Sequence, residues 1–254
     1  PTSDGIIPVQ ALQAAISNKT QLVSVMLVNN EIGTIQPIQE LCTIAHQQGA
    51  LFHTDAVQAI GHIPINVHRL GVDFMSASAH KFNGPKGIGF LYIREGIKIL
   101  PYMNGGSQER GLRAGTENVP LIVGMAKALE KNCSCIEETS KRLSSIESAF
   151  LRTLKEKQVD FIRNGSANHH IPGNINVSFR DVSGEMILHR LDLKKIFVST
   201  GSACDSQNVQ ISHVIKAIAV PAEYAHGTIR VSFGKSNTLE DAQCIASEIA
   251  KILK

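Results

Sequence analysis

No stretch of this sequence stays apolar long enough to cross a bilayer, so a membrane-spanning helix is not expected. No dense Lys/Arg block appears either. The 25 basic residues against 22 acidic ones leave a net charge of +3, which argues against nucleic acid as a direct partner. Cysteine is scarce and odd in number: five residues, Cys42, Cys133, Cys135, Cys204 and Cys244, with no framework spacing. That excludes a disulfide scaffold and fits a reducing compartment, so a cytoplasmic location is expected. Cys133 and Cys135 have no companion ligands at zinc-type spacing, and His169-His170 likewise reads as a surface turn, so no metal is expected. The G-x-x-x-x-G-K-[ST] phosphate loop is absent. Residues 1–20 are polar and broken by Pro1, Gly5 and Pro8, the reverse of a secretory leader. What is present is ordinary globular composition: 254 residues, 43% hydrophobic and 19% charged, enough for one large domain or two modest ones.

The first half alternates strand, polar turn and helix. Residues 8–18 carry helical spacing through Val9, Leu12, Ala15 and Ile16. Leu22 to Val28 is a compact β-branched run that ends in Asn29-Asn30-Glu31-Ile32-Gly33. Residues 37–48 predict a helix with Ile38, Leu41, Ile44 and Ala45 inward. A short strand at 50–53 meets Thr54-Asp55-Ala56-Val57-Gln58, and another at 72–76 meets Ser76-Ala-Ser-Ala-His-Lys-Phe-Asn-Gly-Pro-Lys-Gly87. The apolar run 87–93 follows and reads as a buried strand. This order predicts an α/β domain with a mostly parallel sheet.

Asn30, Asp55 with Gln58, and Ser78-Ala79-His80-Lys81 therefore fall on polar turns at strand ends. Each fits simple helix capping or turn formation. In an open α/β sheet those ends are also where ligands sit. An amine such as Lys81, held on a tight turn that leads into the core, loses solvation, as a Schiff-base lysine must. A solvated surface lysine fits the same stretch. Residues 102–118 form a long glycine-rich loop with Arg110 and Arg113.

Residues 119–157 read as helix, with Val123, Ala126 and Leu129 as one apolar stripe and Leu143, Ile146, Phe150 and Leu154 as another. The domain change is placed inside this region, giving domains 1–139 and 140–254. The second is a small α+β domain with strands at 173–179, 196–199 and 229–233 and helices at 184–191 and 239–253. Cys204 lies in Ser199-Thr-Gly-Ser-Ala-Cys-Asp-Ser-Gln-Asn208, with no apolar anchor between Val198 and Val209. A buried structural cysteine does not belong in such a segment. A thiol there can reach a substrate and hand its cargo elsewhere.

Five motifs in order make the chain similar to the cysteine desulfurases of the NifS/IscS type, pyridoxal-phosphate (PLP) enzymes of the class V aminotransferase family with the type I fold. They are Val28–Gly33, His53–Gln58, Ser76–Gly87, Glu109-Arg-Gly-Leu-Arg-Ala-Gly-Thr116 and Ser199–Cys204. The resemblance implies Lys81 as the lysine that anchors PLP, Asp55 at the pyridine nitrogen, Gln58 and Asn30 at the ring oxygen, and Ser78, Ala79 and His80 at the phosphate. It makes His80 a candidate for proton transfer. It gives Thr116 to the phosphate of a neighbouring subunit in a homodimer, and gives Asn30 and Arg230 to the substrate carboxylate. Cys204 becomes the nucleophile that takes sulfur from L-cysteine as a persulfide, leaving L-alanine. A sulfur-acceptor protein then receives it, either an iron–sulfur scaffold or a tRNA-thiolation protein. Family members begin well before this chain does, and their earlier part carries a phosphate-binding loop and a ring-stacking histidine. The large domain is thus expected to be incomplete. Two other functions stay open: a selenocysteine lyase, which the same residues would serve, and an inactive truncated fragment acting as a binding or assembly module.

Overall fold

A computed structural model of the chain describes residues 1–201 and 211–254. In chain order the elements are α1 (Val9–Ala15), β1 (Leu22–Met26), α2 (Ile38–Gln47), β2 (Leu51–Asp55), α3 (Val67–Leu70), β3 (Phe74–Ser78), β4 (Gly89–Ile93), α4 (Val119–Cys133), α5 (Ile136–Glu156), β5 (Phe161–Asn164), β6 (Asn174–Phe179), α6 (Gly184–Asp192), α7 (His213–Ala217), α8 (Ala222–Ala225), β7 (Thr228–Ser232) and α9 (Leu239–Ile252). A short 3-10 turn, Ala79–Phe82, directly follows β3.

The chain divides into two compact units. One comprises residues 15–26 and 38–135; it is called here the lysine unit. The other comprises residues 1–14, 27–37 and 136–254; it is called the arginine unit. Residues 1–14 and 27–37, which the sequence reading groups with the first domain, thus belong with the C-terminal half. The reason is local packing. Ile32 joins Val214, Ile215, Ile218 and Ala225 in one apolar cluster. The turn around Gly33 also bonds its backbone to the 169–171 segment, Ile35 N–H donating to the His169 carbonyl and Ile171 N–H to the Gly33 carbonyl.

In the lysine unit the sheet order is β1-β2-β3-β4. β1, β2 and β3 run parallel, and β4 pairs antiparallel with β3. The mostly parallel α/β sheet expected from the sequence is borne out. The strands alternate. Phe52, Thr54, Met75 and Ala77 are buried on one face, while His53, Asp55, Ser76 and Ser78 are half-buried on the other. α2 buries Ile38, Leu41, Ile44 and Ala45, the stripe its spacing predicts, and Cys42 beside them. The run at 87–93 is not a buried strand. It forms the edge strand β4, and Leu91 keeps 50% of its surface.

One buried carboxylate ties this unit together. Asp73 accepts from the Phe52 N–H at 2.6 Å, from His46 Nε2 at 2.8 Å and from the Arg94 guanidinium. Beside it, burial and the Asp73 charge push the Cys42 thiol up to about 11.

In the arginine unit an antiparallel sheet β5-β6-β7 carries the core. Every residue of the central strand β6 is buried. α5 contributes Leu143, Ile146, Phe150 and Leu154, as the periodicity predicts, and α9 contributes Ala242, Ala246 and Ile249. The strand expected at 196–199 is a single antiparallel bridge, Ser199 to Arg230. His170 is not a surface residue. Its side chain is nearly covered, 3.2 Å from Glu147, which Arg163 also pairs at 2.9 Å.

Candidate functional site

The parallel strands of the lysine unit all point their C-terminal ends the same way. Asp55, Gln58, Ser78, Ala79, His80 and Lys81, singled out from the sequence, gather at those ends. Asp55 is the last residue of β2 and stands opposite Ser76 of β3. Its Oδ1 accepts from Val57 N–H at 2.9 Å, which turns the chain sharply and leads to Gln58. Ser78 is the last residue of β3. It opens the 3-10 turn but does not cap it; its hydroxyl pairs with His80 Nδ1 at 2.8 Å instead. Ala79 is fully buried, Lys81 half-buried and His80 exposed. The turn closes at Asn83, which takes a left-handed φ of 63°.

The backbone of the lysine turn is held from behind by two residues that the sequence reading passed over. His62 Nε2 donates to the Lys81 carbonyl at 2.9 Å. Asn132, on α4, donates to the Phe82 carbonyl at 2.6 Å and accepts from Asn83 at 3.0 Å. Asn132 is the one residue that α4 buries, which its place in the sequence does not announce. His62 carries no signal either.

Below Asp55 a polar row crosses the sheet. Ser24 Oγ pairs with His53 Nδ1 at 2.8 Å, and His53 Nε2 with Ser76 Oγ at 3.1 Å. Burial pushes the His53 pKa below its ordinary value of 6.5, the neighbouring Asp55 carboxylate opposing this in part. A neutral imidazole suits the row, since it offers one donor and one acceptor to two hydroxyls that can serve as either. Thr116 is exposed, two residues before the Asn118 cap of α4.

The arginine unit gathers the remaining pair. Asn29 folds its side chain back onto the N–H groups of Glu31 and Ile32, at 2.9 and 3.1 Å, and so forms a tight turn. Gly33 completes it with φ +69°; a Cβ there would meet the Asn174 carbonyl at 3.0 Å. The Asn30 carbonyl accepts from Arg230 NH1 at 2.9 Å, and Arg230 NH2 donates to Ser199 Oγ at 3.1 Å. The structure thus brings Asn30 to Arg230 in one unit, and Asp55, Gln58, Ser78, Ala79, His80 and Lys81 to one sheet end in the other. Cys204 lies outside the described residues. Among the described residues no cluster of His, Cys, Asp and Glu could hold a metal ion.

A carboxylate, a hydroxyl–imidazole pair and an amine thus stand on adjacent parallel strand ends, the edge at which open α/β sheets take ligands. The chain belongs to the class V aminotransferase family of PLP-dependent enzymes, whose profile matches residues 1–245. It is 49% identical to the cysteine desulfurase IscS of Dictyoglomus turgidum, over 99% of this chain and 64% of that protein. It is 46% identical to the cysteine desulfurase IscS of Methanosarcina thermophila, over 98% of this chain and 62% of that one. Among solved structures, a NifS-like protein aligns with a TM-score of 0.91 and 38% identity, over 99% of this chain and 66% of the other. The resemblance read from the five motifs is borne out. The chain spans under two thirds of the length of these curated relatives.

Proposed function

We propose that this chain is the greater part of a cysteine desulfurase that converts L-cysteine to L-alanine and holds the sulfur as a persulfide on Cys204. The reading is carried by one observation: Asp55 and the Lys81 turn occupy neighbouring parallel strand ends, in a chain whose curated relatives are named cysteine desulfurases.

The residues fit PLP by the chemistry of their donors. A pyridine nitrogen calls for a carboxylate, and Asp55 stands half-buried at its strand end. A ring oxygen calls for an amide, which Gln58 would supply from the turn after β2. A phosphate calls for hydroxyl and imidazole, and Ser78 and His80 are already paired. Ala79 contributes only backbone there. An aldehyde calls for an amine, and Lys81 sits on the turn that follows. When bound, PLP supplies an electron sink for negative charge that develops next to the substrate amine.

The chain's own groups do the rest. With PLP bound, the Asp55 carboxylate would hold a proton at the ring nitrogen. Lys81 would anchor the cofactor, and its amine, with the His80 imidazole, would carry the Cα proton. Arg230 presents a guanidinium to the substrate carboxylate, a task suited to its planar fork. Cys204 accepts the sulfur and passes it to an acceptor protein, an iron–sulfur scaffold or a tRNA-thiolation protein. Thr116, exposed as a residue offered to a second subunit would be, reaches the phosphate of a partner copy in a homodimer. A cytoplasmic location accords with this sulfur traffic.

The test is Cys204→Ala in the cofactor-loaded protein. Cofactor absorbance is expected to stay and sulfide release to vanish. Surviving sulfide release would remove Cys204 from this role. Absent cofactor absorbance in the unmutated protein would favour a binding or assembly module, and a rate on selenocysteine far above that on cysteine would favour a lyase.

A further inference from the structure

Arg230 is held in place twice over by Ser199. Their backbones form an antiparallel bridge, Arg230 N–H donating to the Ser199 carbonyl at 2.6 Å and Ser199 N–H to the Arg230 carbonyl at 3.1 Å. The side chains meet as well, Arg230 NH2 donating to Ser199 Oγ at 3.1 Å. The other terminal nitrogen, NH1, donates to the Asn30 carbonyl at 2.9 Å. Asn30 is itself fixed, because Asn174 Nδ2 approaches the same carbonyl at 3.4 Å and Asn29 locks the turn that carries it.

A guanidinium is a rigid plane. Anchoring one terminal nitrogen leaves it able to swivel; anchoring both sets the plane. A fork already set in this way does not have to be ordered when a carboxylate arrives, so recognition costs less conformational freedom.

We infer that Ser199 is a positioning residue for recognition of the substrate's carboxylate: its hydroxyl fixes the plane of the Arg230 fork. This rests on the proposed role of Arg230. It also makes the segment leading to Cys204 begin at the very residue that sets the carboxylate fork. The backbone bridge does not depend on the Ser199 side chain, so the hydroxyl can be removed with the bridge left in place.

The experiment follows the cofactor absorbance of the loaded protein during titration with L-alanine, which has a carboxylate, and with ethylamine, which has none. Ser199→Ala is expected to weaken L-alanine about tenfold, a loss of about 1.4 kcal/mol, and to leave ethylamine within about twofold. KM for L-cysteine rises by a similar factor while kcat falls no more than about twofold, the mark of lost uniform binding. Ser199→Thr, which keeps the hydroxyl on a residue that extended backbone tolerates, restores L-alanine to within about threefold. Unchanged L-alanine binding in Ser199→Ala overturns the inference. So does equal weakening of both amines, or a Thr variant that behaves like the Ala variant. If the unmutated, cofactor-loaded protein responds to ethylamine but to neither L-alanine nor L-cysteine, the proposed function falls and this inference with it.

Discussion

The two sheets bury themselves to very different degrees. β6, the centre of the arginine unit's sheet, has no exposed residue; Phe179, Ile175 and Val177 lie among α5, α6 and α9 side chains. The lysine unit's sheet buries one face only, and its edge strands leave Leu22 52% and Leu91 50% exposed. Two groups read as chemistry-bearing in that unit, Asp55 and Ser78, stand on the less covered face, with Ser76 between them. The difference teaches where this chain spends its apolar side chains. One sheet is sealed on both faces; the other packs apolar side chains on one face, keeps polar groups on the other, and adds hydrogen bonds to a buried carboxylate.

Truncation in the two sheets tests that contrast directly. Phe179→Ala removes a fully buried ring and is expected to cost about 3–5 kcal/mol of unfolding free energy. Leu91→Ala, at the exposed edge, is expected to cost less than about 1 kcal/mol. Denaturant unfolding of each variant measures both; equal costs would erase the distinction. A smaller effect belongs to Asp73→Asn, expected to cost about 2 kcal/mol. Asn keeps one oxygen for the buried Phe52 N–H but lacks the charge and the second acceptor, so an NH2 group faces Arg94 or His46 in a site fully closed to solvent at residue 73. A cost near zero would show that Asp73 does not hold α2, β2 and the start of β3 together.

How far the sequence reveals this depends on what each position answers to. Leu143, Ile146, Phe150 and Leu154 repeat with the helix, and the core they predict is there. Val123 belongs to an equally good stripe on α4, yet it is 61% exposed. Periodicity states that a face favours cover; it does not state what covers it. The 87–93 run fails for the same reason, since an edge strand and a central one can share a composition. In the site, Asp55 and Lys81 are legible because their motifs are local. One partner of Arg230 is not: Asn30 lies 200 residues away, and nothing local in either segment announces the bond. Likewise His170 is paired with Glu147 across the fold, a pairing that two adjacent histidines on a turn do not foretell.

The smallest expected effect probes the less sealed sheet through proton linkage. His53 is held neutral in the fold, its pKa below the ordinary 6.5 because burial disfavours the imidazolium. The unfolded chain therefore binds more protons than the folded one as pH drops below about 6.5, so this residue lowers stability progressively on acidification. Above that pH both states are neutral here and the contribution vanishes. Exposure of the ring to solvent keeps the whole effect under about 1 kcal/mol. His53→Gln, which keeps an amide donor and acceptor between Ser24 and Ser76 but cannot titrate, is expected to flatten the fall in stability between about pH 7 and pH 5. Unfolding free energies of both proteins across that range check this. Parallel curves would mean that the fold does not discriminate against a charged imidazole in the polar row beneath Asp55.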